Sequence, residues 1–146
     1  MKTIAQELEG LGLEVKISEE TALAQWQAFA REYRIVGEKA EALATSRRDL
    51  LIAIMCGDVE VQSTAAGVAI KQFVAHPQMG GPNEITYSPP NAKHMASAGT
   101  DSTTLSTKWV RIAASLSNCN EGQLTMWLTG HDFALMESVV QLFITA

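Results

Sequence analysis

Apolar and polar residues follow three different patterns in the first third of the chain. In residues 3–11 the apolar positions recur every three or four residues, which predicts a helix. In residues 13–17 every second residue is apolar, which predicts a strand. Ser18 then precedes two glutamates, as an N-cap precedes an acidic first turn, and helical spacing beyond it predicts a long helix that ends near Ala44.

The middle of the chain changes from a helical period to a strand period at Gly57. Before this glycine, the apolar residues of 50–55 predict a helix that is capped by Thr45 or Ser46 and stopped by Gly57. Beyond it, two stretches with a strand period are followed by a loop that contains proline and glycine, residues 76–83, and by a third short strand. Three short strands are predicted to pair as a small antiparallel sheet, at residues 59–62, 68–74 and 84–87.

The last third of the chain returns to helical spacing. Residues 88–90 read Ser-Pro-Pro and predict a helix start, because proline fits the first turn of a helix. A further helix is predicted to open at Asp101 or Ser102 and to break at residues 118–120, and a short helix is closed by Gly130 before a final one. The predicted fold is α+β, mostly helical, in a single domain that spans the whole chain.

The composition favours a globular protein that does not bind nucleic acid. The chain has 146 residues, of which 47% are hydrophobic, and a chain of this length can bury a sizeable core. Its formal net charge is −5, and the basic residues between Arg31 and Arg48 are interleaved with glutamates, so no concentrated phosphate-binding patch is predicted. The longest apolar run, residues 50–56, is far too short for a membrane span. The N-terminus lacks the apolar stretch of a signal peptide, so we expect a cytoplasmic protein.

The residues that most often carry catalysis or bind metals are scattered along the chain. They are His76, His94, His131, Cys56 and Cys119. No histidine has a second ligand at the spacing of a helical zinc site, and the cysteines, which we expect to be buried free thiols, form no CxxC pair. The neighbouring His131 and Asp132 fit a helix start better than an acid–base pair. We therefore expect no catalytic set, no metal site and no cofactor.

Large aromatic side chains in the last third are the main candidates for contacts with other proteins. Trp109, Trp127, Phe133 and Phe143 all lie in predicted helices. Side chains of this kind anchor interfaces, although at helical spacing they are more often part of a core, so both roles stay open. Several short helices with narrow apolar faces predict a groove that the fold leaves uncovered. We therefore expect these four residues to bind partner proteins, and the oligomeric state stays open.

The second half of the chain contains several features in a fixed order. A strand at residues 68–72 is followed by a short strand and a proline turn at residues 84–90, then by a helical stretch, a small loop and a final helix. The last part is marked by Leu124, Leu128, Asp132, Leu135, Val139, Val140 and Phe143. In this order of residue types, residues 67–145 resemble the small tail assembly chaperones of contractile-tailed phages.

This resemblance implies a phage or prophage assembly factor that is not an enzyme. Its expected partner is a hydrophobic segment of the tape-measure protein or of a tail-tube component, which it would keep soluble before assembly. One alternative is a structural tail or neck component that stays in the phage particle. A second alternative is a small enzyme whose site forms only in three dimensions, and a pocket that joins His94 or His131 to carboxylates would favour it.

Overall fold

The elements follow one another as helices, then strands, then helices. The computed structural model describes residues 3–36, 48–91 and 105–145 of the chain. Its helices are α1 (Ile4–Gly10), α2 (Glu19–Glu32), α3 (Arg48–Met55), α4 (Leu105–Ser117), α5 (Glu121–Trp127) and α6 (Gly130–Thr145). Its strands are β1 (Val59–Thr64), β2 (Gly67–Phe73) and β3 (Glu84–Tyr87). This order confirms the predicted α+β class with a three-stranded antiparallel sheet.

The first two helices start at polar residues that cap them. Thr3 and Gln6 form a capping box at α1, in which each side chain bonds the backbone of the other residue. Ser18 is the N-cap of α2, as predicted, and its hydroxyl accepts a hydrogen bond from the Thr21 N–H at 3.2 Å. A cap of this kind stabilises a helix by about 1 kcal/mol.

The helix α2 is shorter than its apolar periodicity predicts. It ends at Glu32, and Arg34 adopts a positive φ of 54°. The Ile35 N–H then bonds the Ala30 carbonyl at 2.9 Å, which closes the helix end. The predicted continuation of the helix is therefore wrong for residues 33–36. The left-handed conformation of Arg34 turns the chain, so that the Ile35 N–H bonds a carbonyl at the helix end. The rest of that prediction, residues 37–44, lies outside the described residues.

Residues 13–17 alternate in polarity but do not form a strand, so that prediction is wrong. Their backbone bonds a helix end instead of a sheet. The Lys16 and Ile17 N–H groups both donate to the Met55 carbonyl at the end of α3, at 2.9 and 3.0 Å. Val15 and Ile17 are half-buried without a neighbouring strand, so the alternation does not require a sheet.

The sheet has the order β1–β2–β3, with β2 in the centre. Val61 of β1 pairs with Ile70 of β2, which in turn pairs with Tyr87 of β3. The outer edge of β1 is covered by α2, because the Gln25 side-chain oxygen accepts a hydrogen bond from the Val61 N–H at 2.9 Å. This bond satisfies a donor that would otherwise be open to pairing with another strand.

Helices from both ends of the chain pack on this sheet. The helix α2 packs against β1 and β2, α4 packs against β3, and α6 packs against α3, α4 and β2. One hydrophobic cluster includes residues from all six described helices and all three strands. The short helix α5 joins α4 to α6. The loop between β2 and β3 lies beside the α5–α6 junction, because the Gln78 N–H donates to the Trp127 carbonyl at 3.2 Å.

Residues with positive φ lie at three helix boundaries after residue 48. Gly57 (φ 80°) follows α3 and Asn118 (φ 57°) follows α4, both at predicted breaks. Gly130 (φ 55°) was predicted to close α5, but it opens α6, and Leu128 is the C-cap of α5. Several predicted features lie outside the described residues: the Thr45 or Ser46 cap, the helix after residues 88–90, His94, and the start at Asp101 or Ser102.

Candidate functional site

Three fully buried polar side chains connect the sheet to the start of α6. The Tyr87 hydroxyl donates to Gln72 Oε1 at 2.7 Å, and Gln72 Nε2 donates to the Asp132 backbone carbonyl at 2.8 Å. Asp132 Oδ1 and Oδ2 accept hydrogen bonds from the Ala75 and His76 N–H groups, at 2.8 and 2.9 Å. Tyr87, Gln72 and Asp132 are each 0% exposed. We call these three side chains the buried network.

The hydrogen bonds of the buried network have a structural role, since they hold the loop after β2 against α6. Burial, followed by the nearby Cys119 and Asp132, raises the pKa of the Tyr87 phenol well above its usual value, so the hydroxyl remains a donor. The Asp132 carboxylate lies in the first turn of α6, where the helix dipole favours a negative charge. Because the carboxylate also holds two backbone N–H groups after β2, it fixes the loop that follows β2 against α6.

The sequence contained part of the signal for this network. Asp132 was predicted as a first-turn residue of a helix, and the structure agrees. Gln72 was missed, although it lies on the same face of β2 as Ile70, two residues away, and that face is buried. A polar residue at a buried strand position implies a buried partner, but only the tertiary structure shows that this partner comes from 60 residues further along the chain.

Exposed apolar side chains lie in and beside the loop between β2 and β3. Met79 in the loop between β2 and β3 is 77% exposed, and Met126 at the end of α5 is 51% exposed. Trp127 is half-buried, and its ring lies against the backbone of Gly81 in the same loop. We call Met79, Met126 and Trp127 the methionine–tryptophan patch. Methionine is flexible and polarisable, so it suits contacts with varied apolar surfaces.

Gly81 holds the loop close to the Trp127 ring, and a side chain at this position should disturb the patch. A Cβ atom at Gly81 would lie 2.7 Å from Trp127 Cγ, nearer than packed atoms approach. We expect Gly81→Ala to lower the free energy of unfolding by roughly 1–3 kcal/mol, as overpacking does, and to change the tryptophan fluorescence. Chemical denaturation measures the first effect.

The matched control is Gly10→Ala. No atom lies within 4 Å of a Cβ at Gly10, which ends α1, so this variant should keep or slightly raise stability. Equal stability of the two variants would contradict the close packing of Gly81 on Trp127.

A second surface runs along the outer side of α3. Two depressions of about 560 and 460 Å³ meet at Ile52. We call them together the α3 groove, and its apolar lining is Ile4, Leu8, Leu11, Leu13, Ile52 and Ala53. Leu11 is 75% exposed and Leu13 is 48% exposed. Neither leucine was identified as a candidate from the sequence, because Leu11 was assigned to the apolar face of the first helix and Leu13 to the apolar side of a strand.

The end of the α3 groove near α6 contains a histidine, a carboxylate and a thiol. His131 Nε2 lies 3.3 Å from Asp58 Oδ2, and Cys56 lines the same depression. This contact joins His131 to a carboxylate, which is the arrangement that the enzyme alternative requires. Burial, then Asp58, raises the pKa of the Cys56 thiol, although Lys16 opposes this effect, so Cys56 is not an activated nucleophile. Among the described residues, this contact alone does not define a reaction.

The four predicted partner-binding residues occupy different environments. Trp109 on α4 is half-buried, as are Trp127 and Phe133. Phe143 is only 5% exposed, and its ring centroid lies 5.8 Å from that of Phe29. The structure therefore brings Trp127 to an exposed patch and places the Phe143 ring in the core. A binding role for Trp109 and Phe133 stays a prediction.

The two cysteines are free, as predicted, but each is half-buried rather than fully buried. Within residues 3–36, 48–91 and 105–145, no three histidine, cysteine or acidic side chains lie where they would hold a metal ion. In the same residues, no helix combines the length and the apolar character that crossing a membrane requires.

Comparison with known protein families, with curated proteins and with solved structures found no match for this chain.

Proposed function

We propose that this protein is a tail assembly chaperone-like factor that binds an apolar segment of a phage tail protein before assembly. The methionine–tryptophan patch is the observation that carries the proposal. Met79, which is 77% exposed, lies two residues from Gly81, against which the Trp127 ring packs, and Met126, which is 51% exposed, precedes Trp127 in the chain. Large exposed apolar side chains grouped in one region of a protein surface are typical of a site for another protein.

The residues that carry the resemblance are buried in the core beneath this surface. Leu124, Leu128 and Asp132 are buried at the α5–α6 junction, and the four later positions are buried along α6. Those positions are Leu135, Val139, Val140 and Phe143. The pattern therefore describes the core that holds α5, α6 and the loop together, and the patch is built on that core. A chaperone of this kind needs a rigid base and an adaptable contact surface.

The tape-measure protein encoded in the same phage genome is the first partner to test. We expect its apolar helical segments to stay soluble when produced together with this chain, and to co-elute with it in size-exclusion chromatography. Replacement of both Met79 and Met126 by glutamate should weaken the complex by at least roughly tenfold, because it puts charge into a desolvated contact. Calorimetry or fluorescence anisotropy measures the affinity.

Leu23→Glu is the matched control for these variants. Leu23 is also a large exposed apolar residue, at 40%, but it lies on α2. This control should leave the affinity unchanged. A chain that is found in purified phage particles, or that multimerises alone, would support the structural tail or neck component instead. Loss of the complex in the Leu23→Glu variant alone would contradict the assignment of the patch.

A further inference from the structure

The α3 groove is a docking surface separate from the methionine–tryptophan patch. We propose that it binds a basic, amphipathic helical segment of a partner protein. The observation behind this proposal is an apolar floor with a mainly acidic rim. The proposal goes beyond the proposed function because it assigns a second surface. It does not depend on contacts made by Met79 or Met126.

The floor of the α3 groove is more apolar than scattered surface residues explain. Single exposed leucines are ordinary on protein surfaces. Here Leu11, at 75% exposure, and Leu13, at 48%, face the same pair of depressions that meets at Ile52. These depressions, of about 560 and 460 Å³, are each large enough to take several side chains of a partner.

The charges around the floor select the partner. Glu14, Asp49 and Asp58 line the depression beside α6, where Lys16 is the one lysine or arginine among the described lining residues. In the other depression, Arg48 is already paired with Glu7. The rim is therefore negative, in a chain whose formal net charge is −5. Lysine or arginine side chains of a partner would find complementary potential here.

A second copy of the chain fits this surface poorly. Dimers related by a two-fold axis bring the same patch of both copies together. In the α3 groove such a contact would place two negative rims against each other, and like charges brought together across an interface disfavour association. The charge pattern thus argues for a different, basic partner.

The geometry favours a helix over an extended peptide. An extended peptide would need open backbone groups at the wall of the groove. The wall includes Leu13, Glu14 and Lys16, but the Leu13 N–H is bonded to the Leu8 carbonyl and the Lys16 N–H to the Met55 carbonyl. The helix α3 instead presents Arg48 and Ile52, four residues apart, as one ridge. A second helix can pack along such a ridge with its own apolar positions in the depressions on either side.

A pair of designed peptides tests this proposal with the full chain. The first is a labelled amphipathic helix of leucine and lysine, of about 14 residues and roughly 21 Å in length. The second has the same leucine positions and glutamate in place of lysine. We expect the lysine peptide to bind, the glutamate peptide to bind at least roughly tenfold more weakly, and the binding of the lysine peptide to weaken with salt.

Two variants locate the bound peptide. Leu13→Asp removes part of the apolar floor, and Glu14→Lys reverses a rim charge that no described side chain pairs. Each should weaken binding of the lysine peptide by roughly tenfold. Their controls are Leu23→Asp and Glu20→Lys, which make the same chemical changes on α2 and should have no comparable effect. Circular dichroism checks that all four variants are folded.

Three results would overturn the proposal. Equal binding of both peptides would show that charge does not select the partner. Equal weakening by Glu14→Lys and Glu20→Lys would show non-specific attraction to an acidic chain. A dimer that Leu13→Asp dissociates would show that a second copy occupies the groove. None of these results affects the complex tested through Met79 and Met126, so the two proposals fail separately.

Discussion

Asp132→Asn is expected to lower the free energy of unfolding by roughly 3 kcal/mol, the largest effect of any single isosteric change at a polar residue described above. The carboxylate accepts from the Ala75 and His76 N–H groups at 2.8 and 2.9 Å and is 0% exposed. An asparagine has one acceptor oxygen, so one N–H would face an NH₂ group or lose its partner inside the protein. Urea denaturation measures the change.

The control for this prediction is Glu121→Gln. Glu121 is also an acidic residue in the first turn of a helix, α5, but it is exposed. This control should cost less than about 1 kcal/mol, since only the helix dipole and a half-exposed ion pair with Arg111, at 3.6 Å, act on Glu121. If both variants lose the same small amount, then the buried network contributes little beyond a helix-dipole effect.

Phe143→Ala is expected to lower the free energy of unfolding by roughly 3–5 kcal/mol. The Phe143 ring is 5% exposed, and its centroid lies 5.8 Å from that of Phe29 and 6.4 Å from that of Tyr33. Removing it leaves a cavity among aromatic rings that link α2 to α6. Thermal and chemical denaturation with the same variant give independent measurements of the loss.

Phe133→Ala on the same helix is the matched comparison. Phe133 is half-buried, so truncation should cost less stability than at Phe143. If Phe133 contacts a partner, its variant should remain folded and bind the tape-measure segment more weakly. A Phe143→Ala protein with unchanged stability would show that this ring is not part of the core and would return it to the candidates for partner binding.

The buried network couples the stability of the fold to the proposed binding surface. Asp132 holds the backbone directly after β2, and the Gln78 N–H of the same loop bonds the Trp127 carbonyl. The loop that carries Met79 is thus attached to α5 and α6 at two places. We expect variants that break the network to reduce partner binding as well as stability, because the exposed methionines lose their fixed base.

Local patterns in the sequence predicted the second half of the molecule more completely than the first. The spacing of Leu124 and Leu128, the break at Asn118 and the strand at residues 84–87 all depend on interactions within a few residues. Strand and helix periods and residues that favour turns act at that range, so the sequence carries them. The same reasoning assigned Asp132 to a helix start and avoided an acid–base role for it.

The two wrong predictions in the first third of the chain have different physical causes. Residues 13–17 have the period of a strand, yet their N–H groups bond the Met55 carbonyl, about 40 residues away. The helix α2 keeps an apolar period past Glu32, but a left-handed Arg34 ends it. For residues 13–17 a distant backbone partner selected the conformation, whereas at the end of α2 the Ile35 N–H bonds the nearby Ala30 carbonyl and closes the helix.

The sequence by itself determined the α+β class and most element positions after residue 48. Only the tertiary structure decided which apolar residues are exposed. It placed Phe143 in the core, Met79 and Met126 beside Trp127, and Leu11 and Leu13 in the α3 groove. The physical reason is that burial depends on the packing of separate elements against each other, whereas periodicity records only which side of its own element a residue occupies.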